Sequence, residues 1–133
     1  MSTPSYKYKM KRTITKYLLD HCKIDIDHEF VLMELDLLKR NAMGKYISDE
    51  KVQFYIDSLV REWNNHVRYE EYLMLAQGYE HVDSHKASHK LISVFITCMV
   101  ADPSVQNIDN CINDILSHID VHDRLLVDFL KGS

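Results

Sequence analysis

Three glycines and two prolines are all that punctuate 133 residues. So sparse a supply of turn formers leaves little room for a many-turned β fold and favours a few long helices. The unbroken stretches between them are rich in Leu, Met, Glu, Asp and Lys, most of them good helix formers. The length fits one domain with a core of its own.

Periodicity and punctuation divide the chain into four helical segments. The first spans about Asp25 to Met43, with Phe30, Val31, Leu35, Leu38 and Ala42 as its apolar stripe and Gly44 placed for a left-handed terminus. Ser48 is the expected N-cap of a second helix from Asp49 to about Ala76, closed by Gly78, with Phe54, Leu59, Trp63, His66, Glu70 and Leu73 recurring at helical steps. A third runs from Val82 to Ala101. Asp102-Pro103 reads as an N-cap followed by a first-turn proline, opening a fourth helix to about Lys131. Short connections between helices make antiparallel neighbours. The expected fold is therefore all-α: an up-down antiparallel four-helix bundle over residues 24–133, preceded by a short N-terminal arm over 1–23. That arm is basic through Lys7, Lys9, Lys11, Arg12 and Lys16, and reads as a solvated segment.

A net charge of −4 argues against phosphate-backbone binding, so nucleic acid is not the expected partner. No apolar run reaches the roughly 18 residues of a membrane span, and the first residues lack the apolar core of a secretory leader. Cys22, Cys98 and Cys111 are odd in number, widely spaced and without a CxxC pair, which excludes a disulfide framework and fits a cytoplasmic setting. Cys98 and Cys111 are expected as core fillers, as are Met33, Met43, Met74 and Met99.

The chemistry lies in the histidines. His66 and Glu70 are four residues apart, as are His85 and His89, so each pair shares a helix face. His28 lies alone on the first segment, and His118 with Asp123 on the fourth. Neutral imidazoles bind iron, zinc, copper and nickel, and carboxylates bridge cations. Five histidines and two carboxylates are too many for one tetrahedral zinc; two metal ions sharing the carboxylates use all seven.

The stretch from His66 through Glu70 to Gly78-Tyr79, followed by His85 and His89, resembles the HxxxE and HxxxH core of the hemerythrin family. Ser117-His118-Ile119 with Asp123 is similar to its HxxxxD motif, and Asp27-His28 to its first histidine, which glutamine usually precedes. The resemblance covers about residues 24–128. It implies a di-iron centre of two Fe ions joined by an oxo or hydroxo bridge. One iron would be held by His85, His89 and His118 and the other by His28 and His66, with Glu70 and Asp123 between them. It implies reversible dioxygen binding for storage, transport or delivery in a microbial cytoplasm, by a carrier and not an enzyme. The alternatives on the same bundle are a di-iron oxidase, peroxidase or nitric-oxide-handling enzyme, and an oxygen or iron sensor.

Two positions resist that pattern. A five-residue step turns about 140° away on an ideal helix, so His122, four residues from His118, is the partner that simple geometry selects; a π-type widening would restore Asp123. Asp114 stands one turn before His118, where many family members carry a bulky aromatic. Val31, Val67, Ile115 and Ile119 are the expected apolar walls of the site. Trp63 is expected in the core, and His21 and His81 on the surface.

Overall fold

A computed structural model describes residues 18–45 and 47–132; the basic residues Lys7 to Lys16 of the arm lie outside them. The described chain is all-α, with no strand among the described residues. Helix α1 spans Cys22–Gly44, α2 Asp49–Gln77 and α3 Val82–Ala101. The fourth helix is continuous but changes pitch: α4 covers Val105–His118, a π-helical turn Ile119–Asp123, and α5 Arg124–Gly132.

The helix ends follow local chemistry. Ser48 caps α2 by accepting from the Lys51 N–H at 3.3 Å. Gly78 takes the left-handed conformation (φ 66°) that ends it, and the Tyr79 N–H then reaches back to the Met74 carbonyl. Tyr79, thereby turned inward, is buried with Met74 and Leu126 in a small cluster at this end of the bundle.

Three sequence expectations shift at the other ends. The left-handed residue after α1 is Lys45, with Gly44 still helical. The N-cap of α4 is Ser104, which accepts from the Asn107 N–H at 3.2 Å. Asp102 instead closes α3, its N–H bonded to the Cys98 carbonyl, so Pro103 lies in the connection and not in the first helical turn. His21 is not a bystander but the α1 cap, its Nδ1 accepting from the Ile24 N–H.

Each helix packs on its chain neighbours, and α1 packs on α4, closing a ring of four. Paired residues climb one helix as they descend the next. Asp27 meets His66; Glu70 meets His85 and Trp63 meets Ser93; Ser88 meets His118; His28 meets Asp123 and Lys39 meets Asp109. All four interfaces are antiparallel, which is the up-down arrangement expected from the short connections.

The core holds Ile24, Leu32, Leu35, Leu38, Leu59, Ile92, Met99, Ile108, Ile115 and Ile119. Full burial of each such side chain is worth about 1.5–3 kcal/mol. Phe30 and Phe54, expected in the stripes, are 57% and 65% exposed. Their neighbours Val31 and Tyr55 face inward or partly so, because the interior arc is set by where two adjacent helices touch, not by side-chain size. Ala42, Met33, Met43 and Cys98 are likewise exposed, whereas Met74, Met99 and Cys111 fill the core. No helix of the described residues is long and apolar enough to cross a membrane.

Candidate metal centre

Nine polar or charged residues are buried among the described residues: Asp27, His28, Glu34, His66, Glu70, His85, His89, His118 and Asp123. Seven of these are the residues singled out by sequence. They converge from all four helices on one region of the bundle axis.

They form two groups that overlap. Glu70, His85, His89, His118 and Asp123 offer ligand atoms that all lie within 4.8 Å of one another, and so do His28, His66, Glu70 and Asp123. The carboxylates belong to both, and they divide their oxygens between them. Glu70 Oε1 lies 3.1 Å from His85 Nε2 and 2.9 Å from His89 Nε2, while its Oε2 lies 3.2 Å from His66 Nε2. Asp123 Oδ1 lies 2.9 Å from both His85 Nε2 and His118 Nε2, while its Oδ2 lies 2.8 Å from His28 Nε2. Each carboxylate thus turns one oxygen to a three-histidine end and the other to a two-histidine end.

These approaches are not all hydrogen bonds. His66 Nε2 and Glu70 Oε2 have no hydrogen-bond partner, nor do His118 Nε2 and Asp123 Oδ1, although every one of them is buried. Buried polar atoms left unpaired cost about 1–3 kcal/mol each. Ligand atoms held about 2.1 Å from a common ion at right angles lie roughly 3 Å apart, which is the spacing seen. The donor set fits metal: buried nitrogens and oxygens that approach one another without hydrogen-bond geometry and gather in two overlapping groups. The buried His/Glu/Asp cluster is therefore a candidate metal-binding centre.

Asp123 reaches the centre because of the π turn. The Arg124 N–H bonds to the Ile119 carbonyl, five residues back, so residues five apart stack where a regular helix would splay them. His122, the choice of simple geometry, is displaced to a half-buried position and stacks on His118 with ring centroids 5.3 Å apart.

The back sides of the imidazoles were not anticipated. His66 Nδ1 lies 3.0 Å from Asp27, His89 Nδ1 3.0 Å from Glu71, and His118 Nδ1 2.6 Å from Ser88 Oγ. The two carboxylates can only accept, so they hold the proton on Nδ1 of His66 and His89 and leave Nε2 to ligate, while the Ser88 hydroxyl orients the His118 ring. Trp63 packs its indole against His66, His89 and His118 at 5.9, 5.7 and 6.4 Å, and its Nε1–H donates to Ser93 Oγ. Val31, Ile115 and Ile119 are buried as expected, and Val67 is half-buried.

The charges balance without metal by holding protons. Burial opposes protonation of His66, but Glu70 and Asp27 outweigh it and raise its pKa to about 10. Burial likewise opposes His85, and Asp123 with Glu70 raise it to about 9. Burial and the nearby Asp123 push Glu70 up, yet His66 and His85 hold it below the usual carboxylate range. Burial also pushes Asp123 up, and His118, His28 and His85 hold it well below its ordinary value. His118 is lowered, chiefly by its own burial.

Comparison with protein-family models, with curated proteins and with solved structures finds no match to this chain.

Proposed function

We propose that the cluster is a non-heme di-iron centre and that the protein binds dioxygen reversibly, as a store or carrier in a microbial cytoplasm. The observation that supports this reading is the asymmetry of the donors. Three histidines converge at one end and two at the other, with Glu70 and Asp123 spanning both. With equal shares of the carboxylates, an ion at the two-histidine end would have one protein ligand fewer, which would leave a coordination position for an exogenous one.

Bound there, two Fe ions would supply the electrons for reversible dioxygen binding. The chain's own groups do the rest. His85, His89 and His118 would hold one ion and His28 and His66 the other, while Glu70 and Asp123 fix the spacing between them. The imidazole-rich set is less anionic than the carboxylate-rich sets of di-iron oxidases. It stabilises high oxidation states less, which favours binding over oxygen cleavage. Val31, Ile115 and Ile119, buried within one turn of His28 or His118 along the chain, are the apolar side chains that would keep water from the centre. No carboxylate beyond Glu70 and Asp123 lies within either group of ligand atoms among the described residues.

Stopped-flow mixing of the reduced, iron-loaded protein with oxygen tests the reading. A coloured oxygenated form that bleaches when oxygen is removed, and returns on readdition, is the expected result. Immediate conversion to the diferric state with turnover of a co-substrate would assign an enzyme instead.

A further inference from the structure

We propose that Asp27 is a positioning residue which, tempered by Lys23, sets how tightly the two-histidine end holds its metal and at what potential. The inference rests on the metal reading above and extends it to a residue outside the seven.

Asp27 precedes His28 in the chain but serves the other histidine of that end. Its Oδ2 lies 3.0 Å from His66 Nδ1 across the α1–α2 interface, and Asp27 is only 7% exposed. A carboxylate can only accept in this contact, so His66 keeps its proton on Nδ1, and once metal displaces the second proton it is the Nε2 lone pair that would face the centre. The anion also draws the Nδ1 proton toward itself, which makes Nε2 a stronger donor to metal.

The two ends differ in how much rests on such a contact. At the three-histidine end, His89 is backed by Glu71, whose side chain is 30% exposed and so screened by solvent, and His118 by the neutral Ser88 hydroxyl. At the two-histidine end, His28 Nδ1 is buried with no hydrogen-bond partner. Asp27 is therefore the side chain that orients a ligand there from behind, and it does so with a buried charge.

Lys23 stands one turn earlier on α1. Its ammonium lies 2.9 and 3.0 Å from the two Asp27 oxygens and 5.2 Å from the centre of the Tyr69 ring. Its side chain is 52% exposed, so solvent screens its charge, and it withdraws only a small part of the pull that Asp27 exerts on the His66 proton. The triad Lys23–Asp27–His66 is a graded control: removing the anion weakens donation to the metal, and removing the cation strengthens it.

The test is anaerobic calorimetric titration of the metal-free full chain with Fe2+, followed by potentiometry of the loaded protein, for wild type, Asp27→Asn, Lys23→Met and Glu71→Gln. Wild type is expected to show two binding events. Asp27→Asn should weaken one of them roughly 10- to 100-fold, the usual range for losing such a partner, and spare the other. The midpoint potential of the weakened ion should rise in Asp27→Asn and fall in Lys23→Met, with unchanged far-UV circular dichroism in both. Glu71→Gln should act on the other event and more weakly. Equal weakening of both events by Asp27→Asn, or shifts of the same sign in Asp27→Asn and Lys23→Met, would show a merely structural role and overturn the proposal. Two unaltered events at unaltered potentials would also overturn it while leaving the metal reading intact. A wild type that binds no Fe2+ would overturn both.

Discussion

His118 Nε2 and Asp123 Oδ1 lie 2.9 Å apart although five residues separate them on one helix. The π turn between them, Ile119–Asp123, makes this contact, and it excludes His122 from the centre. Asp123→Ala should therefore lower the metal content of the purified protein and release His28, His85 and His118 from their shared partner. His122→Ala should leave the metal content as in wild type. Elemental analysis of both variants decides between them. Full metal loading in Asp123→Ala would show that the π turn serves packing alone.

Trp63 is the one tryptophan of the chain, and it packs on three of the histidines. Its fluorescence should fall stoichiometrically on adding Co2+ or Fe2+ and change little with Zn2+, whose filled d shell offers no low-lying acceptor state. Unchanged emission with Co2+ would place the ion elsewhere. Trp63→Ala should cost about 3–5 kcal/mol of stability, as loss of a buried indole does, measured by urea unfolding of the metal-free protein.

Protonation supplies a further check. In the metal-free protein His66 and His85 titrate at about 10 and about 9, above the ordinary histidine value of 6.5. Their contribution to the metal-free fold is fully present below pH 6.5 and is lost as pH rises through 9 to 10. The depressed Glu70 and Asp123 act oppositely: their contribution is present above the ordinary carboxylate range and is lost as pH falls through their lowered values. Metal must displace the imidazolium protons, so loading at pH 7 should release about two protons per chain. A dye-monitored titration in weak buffer measures them, and affinity should rise with pH up to about 9. Loading without proton release would mean that His66 and His85 do not ligate.

Much of this is legible in the sequence, and most of what is not depends on contacts between helices. Ser48 and Gly78 act through their own backbone neighbours, so the bounds of α2 could be read directly. His66 with Glu70 and His85 with His89 share a face by helical spacing alone. Asp27, Glu71 and Ser88 gave no comparable signal, because their partners lie across an interface whose rotation no single helix records. The exposure of Phe30 and Phe54 escaped for the same reason. Asp102 and Ser104 are both good caps, and only the chain path shows that Ser104 starts the helix.

Asp114 is half-buried one turn before His118, and under the oxygen-binding reading its size and polarity bear on how readily water enters. Asp114→Trp should lengthen the lifetime of the oxygenated form, followed as bleaching of its visible band after reduction and oxygenation. A lifetime equal to or shorter than that of wild type would remove Asp114 from the account.

Metal content determined together with the visible spectrum, with and without oxygen, distinguishes a di-iron oxygen carrier from other occupants of the cluster. Two irons per chain and a charge-transfer band that appears with oxygen and disappears on its removal are the expected result. A single zinc ion, with a spectrum indifferent to oxygen, would contradict it.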